Sequence, residues 1–444
     1  MSQAAEAATG AGDRKIGPVL AAGLVAGNMV GSGVFLLPAT LGAVGSISLV
    51  GWVLATLGAF TTAAVLADLG RISRSLEGIV GYARDSLGGY AGFVIALVYW
   101  MSSWVGTVAI AVAAAGYLAV FLPGLAGPAP LAFTAAAGIC LFTLVNLIGA
   151  RAATRLSGLT LVAGLLPILA VGVFGWFWFD PKVFAASWNV SGQPAFSAVQ
   201  ASMVSVFWAY TGVESAAVAA AVVRNPQRNV PIATYAGTLI AALVYIAASA
   251  AIMGLAPASV LAHSTAPFAL AATRMLGAGV GGFVALCALI KTCGTLNGFV
   301  LVTAETGRAG ADLYLFPGRF APDPRGRVPR RLLIGMAAVM SAAAIASVSP
   351  TVGDQFRVLI NVSTLWTIVP YAICCLALLN LARTMPPGRA RCAAPAAAGL
   401  ALLFNLWLVT TGDPLSLWLT AGLAAISLAL WVLVVRRRSE AAAE

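Results

Sequence analysis

Apolar stretches close to 20 residues long recur along nearly the whole chain, separated by short polar or glycine- and proline-bearing connections. A run of that length is what a helix needs to cross the hydrocarbon core of a bilayer. Counted that way, the pattern predicts twelve spanning helices, near 16–38, 46–69, 88–121, 128–149, 154–179, 197–223, 231–255, 275–307, 332–348, 355–382, 393–411 and 414–435. The third and eighth exceed what a bilayer requires, so tilt or extension past it is expected. The resulting organisation is a polar N-terminal tail (1–15), a core of helices 1–10 (16–382), helices 11 and 12 (383–435) and a C-terminal tail (436–444).

Two of these stretches are interrupted. The first carries Gly27-Asn28-Met29-Val30-Gly31-Ser32-Gly33-Val34-Phe35-Leu36-Leu37-Pro38, with three glycines and a serine inside the hydrophobic run. The sixth carries Phe207-Trp208-Ala209-Tyr210-Thr211-Gly212-Val213-Glu214-Ser215, which sets a carboxylate in mid-membrane. Small residues can serve helix packing alone. Paired interruptions at corresponding places in two five-helix halves instead indicate an inverted-repeat transporter with its site at the midplane, where freed backbone groups meet substrate. An ionisable side chain at that depth, Glu214, is a functional candidate by default.

Composition and charge narrow the class. The chain is 61% hydrophobic and 9% charged, with a mean hydropathy of +0.96, where soluble proteins carry about 25% charge. With the N-terminus inside, 21 of the 25 basic residues fall in inner segments. Lys182, Arg274 and Arg357 fall outside, and Lys291 lies within the eighth span. This bias is the positive-inside pattern. It places both termini in the cytoplasm and makes the net charge of +11 topological, with no call for nucleic acid. The six cysteines and single histidine (His263) lack metal-ligand or disulfide spacing. No phosphate-binding Gly-x-x-x-x-Gly-Lys-Ser/Thr stretch is present, and no cluster of His, Asp and Glu suits a membrane hydrolase. An enzyme is excluded on these grounds, and transport is left.

The residues also resemble a known family. Gly31 through Pro38, Trp208 through Ser215, Asn225-Pro226-Gln227-Arg228-Asn229-Val230-Pro231-Ile232-Ala233-Thr234, Gly172 through Phe179, Trp188-Asn189-Val190-Ser191-Gly192 and Val369-Pro370-Tyr371 are similar, in order and spacing, to the amino acid–polyamine–organocation superfamily. The similarity runs from about residue 15 to 435 and is nearest to the basic amino acid/polyamine antiporters, the bacterial arginine/agmatine type first. It implies an all-α fold of twelve helices with a five-plus-five inverted repeat, broken helices 1 and 6, a bacterial cytoplasmic (inner) membrane location and a homodimer. Partners would be amino acid or amine substrates and membrane lipid, with no cofactor.

By the same resemblance, Asn28, Ser32 and Gly33 cradle the substrate carboxylate, and carbonyls around Trp208 take its α-ammonium, with the Trp208 ring along its aliphatic part. Ser103, Thr107 and Ile110 of the third helix and Ser363 of the tenth line the pocket. Tyr99, Glu214 and Tyr371 form a proton-linked inner gate. The distal end departs from the family: Phe299 replaces a tryptophan that stacks on guanidinium, Thr107 and Ile110 replace an asparagine and a methionine, and Ser103 replaces a cysteine. A phenyl ring is a weaker cation–π partner than an indole.

Lys291 is a further departure, a lysine near mid-membrane about 12 Å, or two turns, from Phe299 along one helix. It is open to three readings: a proton-handling amine, a charge that disfavours dicationic substrates, or a lysine satisfied away from the path. The expected activity is exchange of a cationic amino acid for its decarboxylated amine, with a proton-coupled permease for another amino acid as the alternative. A non-translocating sensor would carry an added soluble domain or long tail, which this chain lacks.

Overall fold

The computed structural model describes residues 16–73, 75, 78–148, 164, 166–218, 220, 223–312, 330–383 and 389–435. In chain order the helices are α1 (Pro18–Met29), α2 (Leu37–Gly42), α3 (Ser48–Ile72), α4 (Gly78–Leu87), α5 (Gly89–Ala119), α6 (Pro128–Ile148) and α7 (Leu166–Trp178). They continue as α8 (Pro181–Ala186), α9 (Ala195–Trp208), α10 (Ser215–Val218), α11 (Pro226–Leu255), α12 (Ala258–Ala262), α13 (Pro267–Leu276) and α14 (Ala278–Asp312). The last four are α15 (Arg330–Ala346), α16 (Val352–Ala382), α17 (Arg389–Thr410) and α18 (Pro414–Leu430).

Among the described residues, eight helices are long and apolar enough to cross a membrane, and α1, α7 and α9 are shorter apolar helices. The protein is therefore a polytopic helical membrane protein. Two of the short helices are short for a physical reason: α1 and α9 stop at the interruptions read in the sequence. The start of the fifth expected span lies outside the described residues.

The third and eighth expected spans are indeed extended, as α5 with 31 residues and α14 with 35. α5 and α16 are the most buried of the long helices and pack against each other, with α14 on the other side of α5. α11 packs on α1 and α3 and forms the flank behind the first interruption. α17 and α18 sit at the periphery, with Leu403 and Trp418 67% and 78% exposed to what would be lipid.

Polar side chains in this apolar interior are largely spent on the helices themselves. Thr107, Thr143, Thr234, Thr364 and Thr367 each donate to the carbonyl one turn back, which removes an orphan hydroxyl without a neighbour. Others cross between helices. Ser102 on α5 bonds both Ser363 and Thr367 on α16, at 3.1 and 2.5 Å. Asn146 on α6 donates to the Asn297 side chain on α14 at 3.1 Å.

The tight turn before α18 is pinned by Asp413, which accepts from the Ser416 N–H (3.0 Å) and hydroxyl (2.7 Å) and from Asn361 of α16 (3.4 Å). Asn361 in turn accepts from Ser205 on α9 at 2.8 Å. Burial raises the Asp413 pKa, but these hydrogen bonds and the nearby Arg357 outweigh it and hold the carboxyl below its ordinary 3.8. A depressed folded pKa contributes stability that is present above the ordinary value and is lost as pH falls through the folded one. Asp413→Asn should therefore lower the melting temperature of the detergent-solubilised protein at pH 7, and the gap to wild type should close as pH falls below the carboxylate range.

Candidate substrate site

α1 ends at Met29, and the chain does not resume a helix of α type until Leu37. Val30 still donates to Ala26 at 2.7 Å, Gly31 folds back on Met29 at 2.6 Å, and Ser32–Phe35 forms a single 3-10 turn. Phe35 anchors the far side of the break: its carbonyl accepts from the buried Tyr117 hydroxyl at 2.9 Å, and its ring sits edge-on to Tyr117 and Phe268. The side chains of Ser32 and Gly33 lie outside the described residues.

The sixth segment breaks after Trp208. A series of three-residue turns carries the chain from Ala209 to Ser215, where α10 begins. Gly212 has φ of +106°, a region that side chains rarely enter, and the space beside its Cα is filled by Asn28 of the first break. Asn28 then donates to the Ser215 hydroxyl at 2.9 Å. The two breaks thus touch and are joined by a hydrogen bond. A second tie lies at their far ends, where Ile16 pairs with Val223 and the Arg224 N–H donates to the Ile16 carbonyl at 2.9 Å.

Between the breaks is a narrow cavity of about 30 Å³, room for about one or two waters. Asn28, Met29, Gly31 and Val34 line it from the first segment, and Trp208, Ala209 and Thr211 from the sixth. Ile110 of α5 and Thr295 and Phe299 of α14 complete it. On one side Trp208 is closed over by Phe356 of α16, edge to face at 5.4 Å.

On the other side lies Glu214, 2% exposed. Its Oε1 accepts from the Tyr99 hydroxyl at 2.9 Å, and its Oε2 from the Tyr371 hydroxyl at 2.6 Å and the Gly212 N–H at 3.1 Å. Three donors aimed at one buried carboxyl match the ionised form, since a protonated carboxyl must itself donate. Tyr99 comes from α5 and Tyr371 from α16, so this one side chain joins the two most buried helices to the sixth break.

Of the residues expected from the sequence, Asn28, Ile110, Trp208 and Phe299 meet at the cavity, and Tyr99, Glu214 and Tyr371 form one network beside it. Ser103, Thr107 and Ser363 do not line the cavity. Ser103 donates to the Tyr99 carbonyl, Thr107 to the Ser103 carbonyl with Thr303 at 3.2 Å, and Ser363 to the Ser102 carbonyl. Thr107 and Ser363 tie α5 to α14 and α16, and Ser103 is satisfied within α5.

The carbonyls around Trp208 are partly occupied. That of Trp208 accepts from both the N–H and the hydroxyl of Thr211, and that of Ala209 from the Tyr245 hydroxyl at 3.1 Å. Ala209 keeps a second lone pair for a ligand. Thr295 was not anticipated. Its hydroxyl is buried with no hydrogen-bond partner, and its sequence signal is the helical spacing of four that puts it on the same stripe as Lys291 and Phe299.

Lys291 does not line the cavity. It is 6% exposed and has no hydrogen-bond or ionic partner among the described residues. A Cβ added to Gly164 would overlap the Cβ, Cγ and Cδ of Lys291, so its aliphatic stem lies directly on that backbone.

A site built this way offers half-helix ends, one amide and aromatic faces, with no charged side chain in the wall. It can hold a small polar molecule by its backbone-like head, and it presents no nucleophile or metal ligands. The amino acid permease family matches residues 16–435. The chain belongs to the amino acid permease family. It is accordingly a membrane transporter and not an enzyme.

This permease is 34% identical over 381 residues to the Escherichia coli K12 putrescine transporter PotE, covering 85% of this chain and 87% of that one. It is 34% identical over 372 residues to the cadaverine/lysine antiporter of the same organism, covering 83% and 84%. A Haemophilus influenzae putrescine transporter is 32% identical over 375 residues, covering 84% and 86%.

The packing of Lys291 on Gly164 gives a direct test. Gly164→Ala should cost about 1–3 kcal/mol by overpacking and lower the melting temperature, whereas the same change made on top of Lys291→Ala should cost much less. Equal losses in the two backgrounds would mean that the stem does not rest there.

Proposed function

We propose that this permease exchanges a cationic amino acid for its decarboxylated amine by alternating access. The observation that carries this reading is the Glu214 carboxyl, which is bonded to a tyrosine from each of two core helices and to the backbone of the sixth break. That break touches Asn28, one wall of the cavity. A proton arriving on Glu214 turns one acceptor position into a donor, so its bond to Tyr99 or Tyr371 must reverse or be released, and all three ties lose the help of the negative charge. Freeing α5 or α16 from the sixth segment on that side opens the cavity there, while Trp208 and Phe356 keep the other side shut.

In this reading the substrate carboxylate lies at the first break beside Asn28, Ser32 and Gly33. The α-ammonium goes to the free lone pair of Ala209, and the aliphatic chain runs along Trp208 to Phe299 and Ile110. Arginine/agmatine is the pair expected from the resemblance. The relatives named for putrescine and for cadaverine and lysine, together with a phenyl ring in place of the stacking indole, support primary-amine substrates alongside it. Ser103, Thr107 and Ser363 join the wall when the α5–α14 and α5–α16 seams part.

The frame is the twelve-helix, five-plus-five inverted repeat, in a bacterial cytoplasmic membrane with both termini inside. The peripheral position of α17 and α18 suits them to a homodimer contact. A second reading, a proton-coupled permease, is favoured by one observation, the buried Lys291 held between α14 and Gly164. An amine there that gains and loses a proton would couple transport to a pH gradient without an exchanged amine.

Reconstituted vesicles separate the two. Uptake of labelled arginine, lysine or ornithine that requires internal arginine, agmatine, lysine, cadaverine or putrescine is the result expected of the exchanger. Uptake into empty vesicles driven only by a pH gradient, and abolished in Lys291→Ala and Lys291→Gln, would replace it with the permease. Glu214→Gln should flatten the pH profile of exchange. A profile unchanged in that variant would remove the carboxyl from proton linkage.

A further inference from the structure

A cavity of about 530 Å³ shares no lining residue with the substrate site. It opens where α3 ends and α11 begins, at the boundary between membrane and water. Tyr82 of α4, Ser73, Gln227 and Arg228 line it, with Gly70 and Ala220.

Its donors converge. Tyr82 is 2% exposed, yet its hydroxyl meets no partner among the described residues and lies 3.6 Å from the space beside Gly70 in the cavity wall. Burial pushes this phenol up to about 12, with the Cys374 thiol adding to the effect, so it stays a neutral donor at any physiological pH. The Ser73 oxygen already accepts the Ser75 N–H, which leaves its proton to donate. Arg228 brings a full positive charge, and the first turn of the 30-residue α11 brings the positive end of a helix dipole. No carboxylate lines the wall among the described residues, and the nearest on α3, Asp68, is paired with Arg71 at 3.2 Å. A cavity that offers donors and positive charge, with an unpartnered hydroxyl on an otherwise buried tyrosine, is complementary to an anion.

We propose that this cavity binds the phosphate of an anionic phospholipid headgroup. The site lies at headgroup depth, and its volume exceeds what a phosphate alone would fill. On the proposed orientation it faces the inner leaflet, where anionic lipid is attracted to basic clusters. Binding would act on transport through α10. The start of α4 rests against Ala217 and Val218, within 3.2 Å of a Cβ placed on Gly78, and Ala220 is part of the cavity wall. A headgroup bridging Tyr82 and Arg228 would therefore fix the half-helix that follows Glu214.

The test uses the full chain. Its first arm counts phosphatidylglycerol retained by the purified protein in native mass spectrometry, a readout that needs no transport and stands even if the exchange reading fails. Retention is expected in wild type and Arg228→Lys, with a severalfold loss in Tyr82→Phe and Arg228→Gln. It should be unchanged in Arg331→Gln, a basic residue elsewhere on the surface. Equal retention in all five proteins would overturn the proposal.

The second arm measures exchange in phosphatidylcholine vesicles with and without phosphatidylglycerol, and with inorganic phosphate instead. Stimulation by the lipid that Tyr82→Phe and Arg228→Gln abolish, with rates in phosphatidylcholine unchanged, supports the site. Stimulation reproduced by inorganic phosphate would overturn the lipid and assign a free phosphate in its place.

Discussion

Everything in this molecule hangs on the requirement that a chain in hydrocarbon satisfy its own backbone. Two helices are interrupted in mid-membrane, and each interruption frees N–H and C=O groups that water cannot reach. The protein deals with these in three ways. Some are taken by short turns, as along Ala209 to Ser215. Some are taken by fully buried tyrosines, Tyr117 at the Phe35 carbonyl and Tyr245 at the Ala209 carbonyl. Others lie along the cavity between the two breaks.

That solution explains why the breaks are coupled. Gly212 lies against Asn28, Asn28 bonds Ser215, and Ile16 pairs with Val223 at the other end. Neither half-segment can shift alone without leaving a polar group unsatisfied. Around this pair, α3 and α11 act as a backing: Tyr210 bonds Thr56 at 2.6 Å, and Trp52 packs between Tyr210 and Tyr245. On the other face the ties are the Thr107–Thr303 hydroxyl pair between α5 and α14 and the Glu214 network between α5, α16 and the sixth break.

Much of this was legible in the residues. Apolar runs of membrane length announced the class, and glycine with a polar residue inside an apolar run announced both breaks at their correct places. Glu214 stands out because a carboxylate at that depth needs donors, and the family resemblance supplies Tyr99 and Tyr371 for it. Thr295 was missed, since its spacing of four from Lys291 and Phe299 does not by itself say which face of the helix meets the cavity. Lys291 was recognised as anomalous, but its contact with Gly164 was not, because nothing in either local sequence refers to the other.

Sequence by itself determined membrane class and the sites of the two interruptions, since these follow from hydropathy and backbone chemistry over short stretches. Tertiary structure alone decided which polar side chains face the cavity and which are spent between helices. Thr107 and Ser363 carry the same chemistry as a ligand-binding hydroxyl, and only the approach of α5, α14 and α16 gave them protein partners on a neighbouring helix. Local composition sets what a side chain can bond to, whereas the packing of helices from distant parts of the chain sets what lies within 3 Å of it.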